Sequence, residues 1–411
     1  MPGHIQDRWY TTKTGPDGKA VKVKTDRYGV GLRYRARYVG PDGTEKSQSF
    51  PDKQKRKAEA WLAEISADLR QGRYVDPSAG RMTLSQYAAQ WLNSLSMDPS
   101  TYAGTEQRIR LHILPYLGAR SLGALRPSHL RDWLRELERQ NLAATYRRVI
   151  FANLSTLLTA AVEDRLIFQN PCRSTAVRAP RLDARRLVPW HRDRVHAVRG
   201  ALPHHFRPMV DVAGGCGLRQ GEIFGLAVDG VDALDSVVHV VRQVKLIGNR
   251  PVFAPPKGGK LRDVPLPDSV AAVLDDHITR HPPMSVTLPW KVLDGPPVTA
   301  DLLFYGDDSR ELNRNVFNRV IWRPALTAAG VPHARENGMH ALRHFYASVL
   351  LDAGESIKAL SEYLGHYDAG FTLRTYTHLM PSSEKRTKEA VDRVFGGPRG
   401  DDGPTTAPDG E

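Results

Sequence analysis

Alternating apolar and polar residues mark the beginning of the chain. Apolar residues occupy every second position over 30–38, which is typical of a strand with one buried face. The same pattern predicts a turn and returning strand over 41–50 and a third strand at 21–23. Helical spacing over 55–71 predicts a helix covering the apolar face. Residues 1–76 are therefore predicted to form a small β-rich domain.

Arginines occupy polar positions of the first of these strands. Arg33, Arg35 and Arg37 alternate with apolar residues and so share one face of the predicted sheet. The face carries nearly one sign of charge, whereas solvated faces usually mix both signs. A cationic sheet face suits the major groove of DNA, where arginine also reads guanine. We expect these arginines to bind DNA; the alternative is that they only keep an exposed sheet soluble.

Residues 82–172 show the period of amphipathic helices. Apolar stripes separated by Gly or Pro predict four helices, at 83–95, 101–117, 128–139 and 145–166. Their polar faces include Arg108, Arg147 and Arg148, which we expect to contact DNA phosphates. Residues 173–187, with Pro180 and many arginines, predict a linker to the next domain.

From residue 188 the pattern changes to a mixture of helices and strands. The spacing predicts helices at 206–226 and 312–329, a further helix from His340, and strands at 237–246 and 252–266. The turn Lys257-Gly-Gly-Lys lies between apolar runs but lacks the spacing of a phosphate-binding loop. A short helix at 384–395 is predicted to dock in its own subunit or on a neighbour. The Gly/Pro-rich, acidic tail 396–411 is predicted to be disordered.

Composition narrows the class of partner. The chain has 411 residues, which favours two or three domains, and a formal net charge of +13, which favours a polyanion such as nucleic acid. No run of about 20 apolar residues is present, so no membrane partner is expected. We expect a cytoplasmic, nucleoid-associated protein with Cys172 and Cys216 as buried, reduced thiols.

Candidate chemistry is concentrated in one run, from His340 to Tyr376. Three interpretations compete: ordinary helix residues, a zinc site built from His340, His344 and His366, and a tyrosine nucleophile surrounded by arginine and histidine. Zinc hydrolases place a glutamate directly after the first histidine, where this chain has Ala341, so no metal is expected. The nucleophile interpretation requires more cations, and these come from earlier motifs.

Six positions, met in order, resemble the tyrosine recombinase (phage integrase) family. They are Arg219 in Gly-Leu-Arg-Gln-Gly-Glu-Ile, Lys257 in Pro-Lys-Gly-Gly-Lys-Leu-Arg-Asp-Val-Pro-Leu, His340 and Arg343 in His-Ala-Leu-Arg-His, His366 in Leu-Gly-His, and Tyr376 ten residues later. Ala341 and Phe345 depart from residues that the family often has, but neither belongs to its catalytic set.

The resemblance implies a multidomain fold. Residues 1–76 look like a small β-rich (α+β) arm-type DNA-binding domain, and 82–172 like an all-α core-binding domain. Residues 188–395 would form a mixed, mainly α catalytic domain with a small β-sheet. These two upstream assignments rest on layout, whereas the catalytic assignment rests on motifs.

The resemblance also implies a role for each catalytic residue. Two guanidinium groups, Arg219 and Arg343, suit the charge that gathers on an attacked phosphodiester. Tyr376 would be the nucleophile that forms a 3′-phosphotyrosine bond. His340 would assist as base, His366 would bind the phosphate, and Lys257 would be the general acid. Glu222, one helical turn from Arg219, is expected to support the site.

This chemistry implies a site-specific DNA recombinase, the integrase of a phage or integrative element. No cofactor is expected, because the phosphotyrosine bond retains the energy needed for rejoining. The implied partners are double-stranded attachment-site DNA, three further copies in a homotetramer, and a host DNA-bending protein and excision factor. The alternatives are a type IB-like topoisomerase and a DNA-binding regulator without catalysis. The attachment-site sequences are not encoded in these motifs.

Overall fold

The computed structural model describes residues 3–14, 19–41, 43–71, 74, 79–182 and 188–376, together with Lys388, Val391 and Asp392. The chain divides into two compact units, Met1–Asp183 and Ala184–Glu411, called here the N-terminal and C-terminal units. The predicted tail 396–411 lies outside the described residues, as does nearly all of the predicted helix 384–395.

The N-terminal unit begins with two small sheets and a helix. Its elements are β1 (His4–Asp7), β2 (Tyr10–Thr14), β3 (Ala20–Lys24), β4 (Tyr34–Val39), β5 (Glu45–Phe50) and α1 (Lys55–Arg70). One antiparallel sheet has the order β1-β4-β5, and β2 pairs with β3 in a separate ribbon. Tyr34, Ala36 and Tyr38 are buried on one face of β4. Tyr34 and Ala36 share an apolar cluster with Ala58 of α1, and Tyr38 shares one with Ile65 of the same helix.

Two strand predictions need correction, and two further strands were not predicted. The predicted strand over 30–38 begins only at Tyr34, because Gly29 and Gly31 adopt left-handed φ angles of 79° and 68°. The strand at 21–23 exists but pairs with β2 and does not join the main sheet. Strands β1 and β2 were not predicted, because they are short and polar.

The helical part of the N-terminal unit follows the sequence pattern closely. Its helices are α2 (Leu84–Ser94), α3 (Pro99–His112), α4 (Leu114–Leu117), α5 (Pro127–Arg139) and α6 (Ala144–Glu163). Thr83 caps α2 in a reciprocal capping box with Gln86. The predicted helix 101–117 divides after His112, where Pro115 in the next turn supplies no amide hydrogen. Leu84, Ile109 and similar apolar side chains form one buried cluster.

The C-terminal unit mixes many helices with small antiparallel sheets. Before residue 290 it contains α7 (Arg192–Ala201), α8 (Arg207–Cys216), α9 (Gln220–Phe224), β6 (Val231–Asp232), β7 (Val237–Val240), β8 (Gln243–Ile247), β9 (Arg250–Ala254), β10 (Arg262–Pro265), α10 (Asp268–Arg280) and β11 (Met284–Pro289). After it come β12 (Pro297–Leu302), α11 (Arg314–Phe317), α12 (Arg323–Ala328), α13 (His340–Asp352), α14 (Ile357–Leu364) and α15 (Ala369–Tyr376). A π-helical turn, Asn318–Trp322, joins α11 to α12. The sheets have the orders β10-β7-β6, β8-β9 and β11-β12.

The predicted fold class is confirmed, but several C-terminal details differ. The predicted helix 206–226 breaks at Gly217, whose left-handed φ of 66° ends α8. The strands flanking the Lys257 turn do not pair with each other: β9 pairs with β8, and β10 pairs with β7. Helix α10 and strands β11 and β12 were not predicted. Cys172 and Cys216 are buried and free, as expected.

Candidate active site

Helix ends in the C-terminal unit place the predicted catalytic residues. Arg219 is the N-cap of α9, His340 begins α13, His366 follows α14, and Tyr376 is the last residue of α15. Gly365 ends α14 with a left-handed φ of 58°, which an L-residue adopts only with strain. These breaks turn the chain back, so residues far apart in sequence come together.

Arg343 lies at the centre of the cluster and is only 1% exposed. Its Nη1 donates to the carbonyl oxygen of Gly217 at 2.6 Å, and its Nη2 donates to that of Leu364. Both acceptors lie at the ends of helices, where carbonyl groups lack partners within the helix. Burial, followed by the charge of Arg219, lowers the pKa of Arg343. Its Nε is buried and has no acceptor among the described residues.

Glu222 holds two guanidinium groups from the interior. Its Oε1 accepts from Arg219 Nη1 at 2.8 Å and from Arg262 Nη1 at 3.0 Å, while Oε2 accepts from Arg262 Nη2 at 2.6 Å and from the Arg219 backbone amide at 2.8 Å. Burial alone would raise the pKa of Glu222, but hydrogen bonds and charge from Arg262, with the charges of Arg219 and Arg343, lower it to about 2. Glu222 is therefore ionised throughout the physiological range.

Arg262 is a site residue that the sequence reasoning missed. It is buried in β10, and its Nε also donates to the carbonyl oxygen of Tyr363 at 2.7 Å. The only sequence signal was its position five residues after Lys257. Arg219, by contrast, keeps 21% of its side chain exposed and donates to the Gly365 carbonyl oxygen at 3.3 Å. Arg219 is thus the arginine of this cluster that remains most accessible.

The hydroxyl of Tyr376 is hydrogen-bonded to a histidine. Its oxygen lies 2.7 Å from Nδ1 of His344, and Tyr376 itself is 1% exposed. Burial raises the pKa of Tyr376 to about 12. Burial, then the charges of His340 and Arg343, lowers the pKa of His344 to about 3, so this imidazole is neutral at pH 7. His344 was not among the predicted catalytic residues, although it follows Arg343 directly.

The two predicted catalytic histidines are also neutral at pH 7. Burial, followed by the charge of Arg343, lowers the pKa of His340 to about 4 and that of His366 to about 3. The rings of His340 and His344 meet edge to face, with centroids 4.5 Å apart. Nδ1 of His366 lies 2.7 Å from Oγ1 of Thr372. Neutral imidazoles can each donate one hydrogen bond and accept another.

Two lysines lie in the turn before β10. Lys257 is exposed, and its charge lowers the pKa of His340, which places it within electrostatic reach of the cluster. Lys260 instead contacts the site directly, because its Nζ donates to the carbonyl oxygen of His366 at 3.3 Å. Left-handed φ angles at Gly258 and Gly259 allow this tight turn.

The arginines of β4 and its approach are held by other side chains. Arg33 bonds Asp7 at 2.9 Å and Asp52 at 3.0 Å, and Arg37 bonds Glu45 at 2.9 Å. Arg35 has no carboxylate partner among the described residues, and its Nε donates to Ser47 Oγ at 2.9 Å. The prediction that this sheet face carries nearly one sign of charge is therefore wrong, because acidic residues from other segments reach it. The DNA-binding role of these arginines stays a prediction.

The arginines predicted on the helical domain also have partners within the N-terminal unit. Arg108 Nε donates to Asn153 Oδ1 at 2.7 Å, and Arg147 Nη1 donates to a Glu138 carboxylate oxygen at 2.8 Å. Arg148 Nη1 donates to the Pro180 carbonyl oxygen at 3.1 Å. Their DNA contacts stay predictions as well.

The described residues offer neither a metal site nor a membrane-spanning helix. In the parts of the chain that the structure describes, no group of three or more His, Cys, Asp or Glu residues is placed to hold a metal ion. In the same parts, no helix combines the length and the apolar character needed to cross a membrane.

Family models match two parts of the chain. Residues 194–383 match the phage integrase family, and residues 83–137 match the phage integrase N-terminal SAM-like domain. The chain is 27% identical, over 93% of its length and 98% of the relative, to the putative prophage phiRv2 integrase of Mycobacterium tuberculosis. It is 28% identical, over 90% of its length and 97% of the relative, to the integrase of Mycobacterium phage L5.

Solved structures share the fold. The Tn1549 transposon integrase in complex with a circular intermediate DNA superposes with a TM-score of 0.64 at 19% identity, covering 76% of this chain and 99% of that one. A lambda integrase tetramer bound to a Holliday junction superposes with a TM-score of 0.54 at 18% identity, covering 85% and 93%.

Proposed function

We propose a reaction course for this chain from one premise: it belongs to the phage integrase family and is a tyrosine-type site-specific DNA recombinase. In this proposal the Tyr376 oxygen attacks a DNA phosphodiester, forms a 3′-phosphotyrosine bond and releases a 5′ hydroxyl. Attack by another strand's 5′ hydroxyl then restores a phosphodiester and frees the tyrosine. The observation that best supports this proposal is that the Tyr376 hydroxyl is hydrogen-bonded to neutral His344 and lies close enough to Arg343 and Arg219 to feel their charges.

The arginines would stabilise charge on the attacked phosphate. Arg219 is partly exposed, and Arg343 retains an Nε–H without an acceptor among the described residues. Guanidinium groups held in place before the reaction favour the transition state, because no reorganisation is needed as charge develops. Glu222 and Arg262 would hold Arg219 in position, which extends the support role assigned to Glu222.

Two proton transfers complete the cleavage step. The tyrosine proton would pass to His344 Nδ1, the base in contact with the hydroxyl, and His340 would assist through its edge contact with that ring. His366 would donate a hydrogen bond to a nonbridging phosphate oxygen. The 5′ oxygen would take its proton from Lys257 as the P–O5′ bond breaks, with Lys260 as the next candidate.

DNA is the proposed partner, supported by the formal net charge of +13 and by DNA-bound relatives of the same fold. We assign residues 1–76 to arm-type DNA, 82–172 to the core site and 188–395 to catalysis. The lambda integrase tetramer supports a homotetramer here. Integration or excision of a phage or integrative element, assisted by a host DNA-bending protein and an excision factor, completes the proposal. Relatives that are integrases favour recombination over the type IB topoisomerase alternative.

A single hydroxyl tests the proposal. Tyr376→Phe should bind site DNA normally and form no covalent adduct, because only the nucleophilic oxygen is removed. The measurement is a denaturing gel of protein incubated with nicked attachment-site DNA. Tyr367→Phe is the control, since Tyr367 is fully exposed and should give a normal adduct. An adduct formed by Tyr376→Phe would assign the nucleophile elsewhere.

A further inference from the structure

The helix that carries Tyr376 is held by two histidine–hydroxyl hydrogen bonds. At its end, Tyr376 bonds His344, and one helical turn earlier Thr372 bonds His366. Residues four apart lie on the same side of a helix, so both hydroxyl groups face the cluster. The proposed nucleophile and the proposed phosphate donor are therefore connected through α15.

Thr372 is unusual in its choice of partner. The residue is 0% exposed, and a buried hydroxyl in a helix commonly bonds the carbonyl oxygen one turn earlier. Here the hydroxyl oxygen lies 2.7 Å from His366 Nδ1, a side chain outside the helix. No other hydrogen bond of the Thr372 hydroxyl occurs within the described part of the chain.

The direction of this hydrogen bond decides the tautomer of His366. A buried hydroxyl hydrogen needs an acceptor, and the nitrogen facing Thr372 is Nδ1. If Thr372 donates to Nδ1, the proton of the neutral imidazole is on Nε2. His366 then presents an N–H on its other side, which is the group needed to donate to a phosphate oxygen.

We propose that Thr372 is a positioning residue that keeps His366 in its Nε2–H tautomer and ties this phosphate donor to the helix bearing the nucleophile. The inference rests on the proposed function and deepens it. Loss of the hydroxyl would leave the His366 ring free to rotate or to move its proton to Nδ1. With the proton on Nδ1, Nε2 would present a lone pair to the phosphate. Repulsion between that lone pair and a phosphate oxygen would slow cleavage.

The first test compares two replacements of the same residue. Thr372→Val preserves the shape and removes the hydroxyl, and we expect single-turnover cleavage of nicked site DNA to fall about tenfold to a hundredfold, the range for lost partners that orient histidine ligands. Thr372→Ser keeps the hydroxyl and should remain within about threefold of wild type. Thr375→Val, a partly buried position on the same helix, controls for added branching and should cleave normally.

A double-mutant cycle separates positioning from simple packing. If Thr372 acts through His366, Thr372→Val should cause no further loss in a His366→Ala background. Losses that multiply would show an independent structural effect and overturn the proposal, as would normal cleavage by Thr372→Val. Wild-type protein provides the remaining control: absence of any Tyr376 adduct in it would contradict the proposed function itself.

Discussion

Arginines meet carboxylates in both units of this molecule, but in different surroundings. In the C-terminal unit, Glu222 has a fully buried side chain and holds Arg262, whose side chain is 3% exposed. In the N-terminal unit, Arg37 bonds Glu45, whose side chain is 52% exposed. The two pairs have similar distances, 2.6 Å and 2.9 Å, so geometry alone does not distinguish them.

The two ion pairs differ in whether water could replace a lost partner. A buried charge that loses its partner has no water to compensate it, whereas an exposed one is solvated at once. Three arginines, Arg219, Arg262 and Arg343, surround the single carboxylate of Glu222, so this cluster carries an excess of two positive charges. Such an excess favours an anion, and a phosphodiester supplies one. The arginines of the N-terminal sheet are half-buried but do not share one buried carboxylate, so they carry no such requirement.

Lys257 shows that the burial of a residue is not the only measure of its importance. It is exposed, yet because it is the proposed general acid, its replacement by alanine should slow cleavage about 10²- to 10⁴-fold. The measurement is the single-turnover rate on nicked site DNA.

A modified substrate identifies the cause of that loss. Sulfur at the 5′ bridging position leaves without a proton, so Lys257→Ala should cleave this DNA at close to the wild-type rate. Lys260→Ala is the matched variant from the same turn. Equal defects of Lys257→Ala on both substrates would move the acid role away from Lys257.

Glutamate-to-glutamine changes compare the two regions directly. Glu222→Gln removes the counter-charge of buried Arg262 and of partly exposed Arg219, and we expect the free energy of unfolding to fall by about 3–5 kcal/mol. Glu45→Gln on the exposed face should change it by about 0–1 kcal/mol. Denaturant titrations of the full chain measure both values. Equal small effects would mean that water reaches the Glu222 cluster.

Acid should weaken the C-terminal unit before it weakens the N-terminal unit. His340, His344 and His366 are neutral when folded, with pKa values lowered to about 4, 3 and 3 from 6.5. In the unfolded chain they take up protons as the pH falls through 6.5, so the stability of the folded unit decreases from there down to about pH 3. Hydrogen exchange resolved by segment checks this order. Simultaneous loss of protection in both units would contradict it.

The sequence motifs predicted which residues form the site better than they predicted the contacts among those residues. The six motif positions could be recognised because each stands in a short, distinctive run of sequence. The structure brings five of these residues together in one cluster: Arg219, His340, Arg343, His366 and Tyr376. Arg262 was missed because its partner Glu222 lies 40 residues away on another element. Thr372 was missed because its contact with His366 depends on how α15 folds.

Helices were predicted more accurately than strands for a physical reason. The Thr83 cap and a long apolar stripe specify α2 locally. Strands β1 and β2 have only four and five residues, most of them polar, and their pairing depends on distant segments. The ion pair between Asp7 and Arg33 spans 26 residues, so the charge of the arginine face could not be read from β4 alone.

The smallest predicted effect concerns that arginine face. Replacing Arg33, Arg35 and Arg37 with alanine should weaken binding to arm-type DNA and flatten its salt dependence, because each lost phosphate contact lowers the slope by about 0.9. Arg35 should account for most of the change, since Arg33 and Arg37 already bond carboxylates. The matched comparison is Arg35→Ala against Arg33→Ala, measured as binding affinity over a range of salt concentrations. Cleavage of a minimal core site should be unchanged in both. Footprinting of the intact protein decides the assignment: protection confined to the core site would mean that the face is a solvated surface and that the arm-binding assignment is wrong.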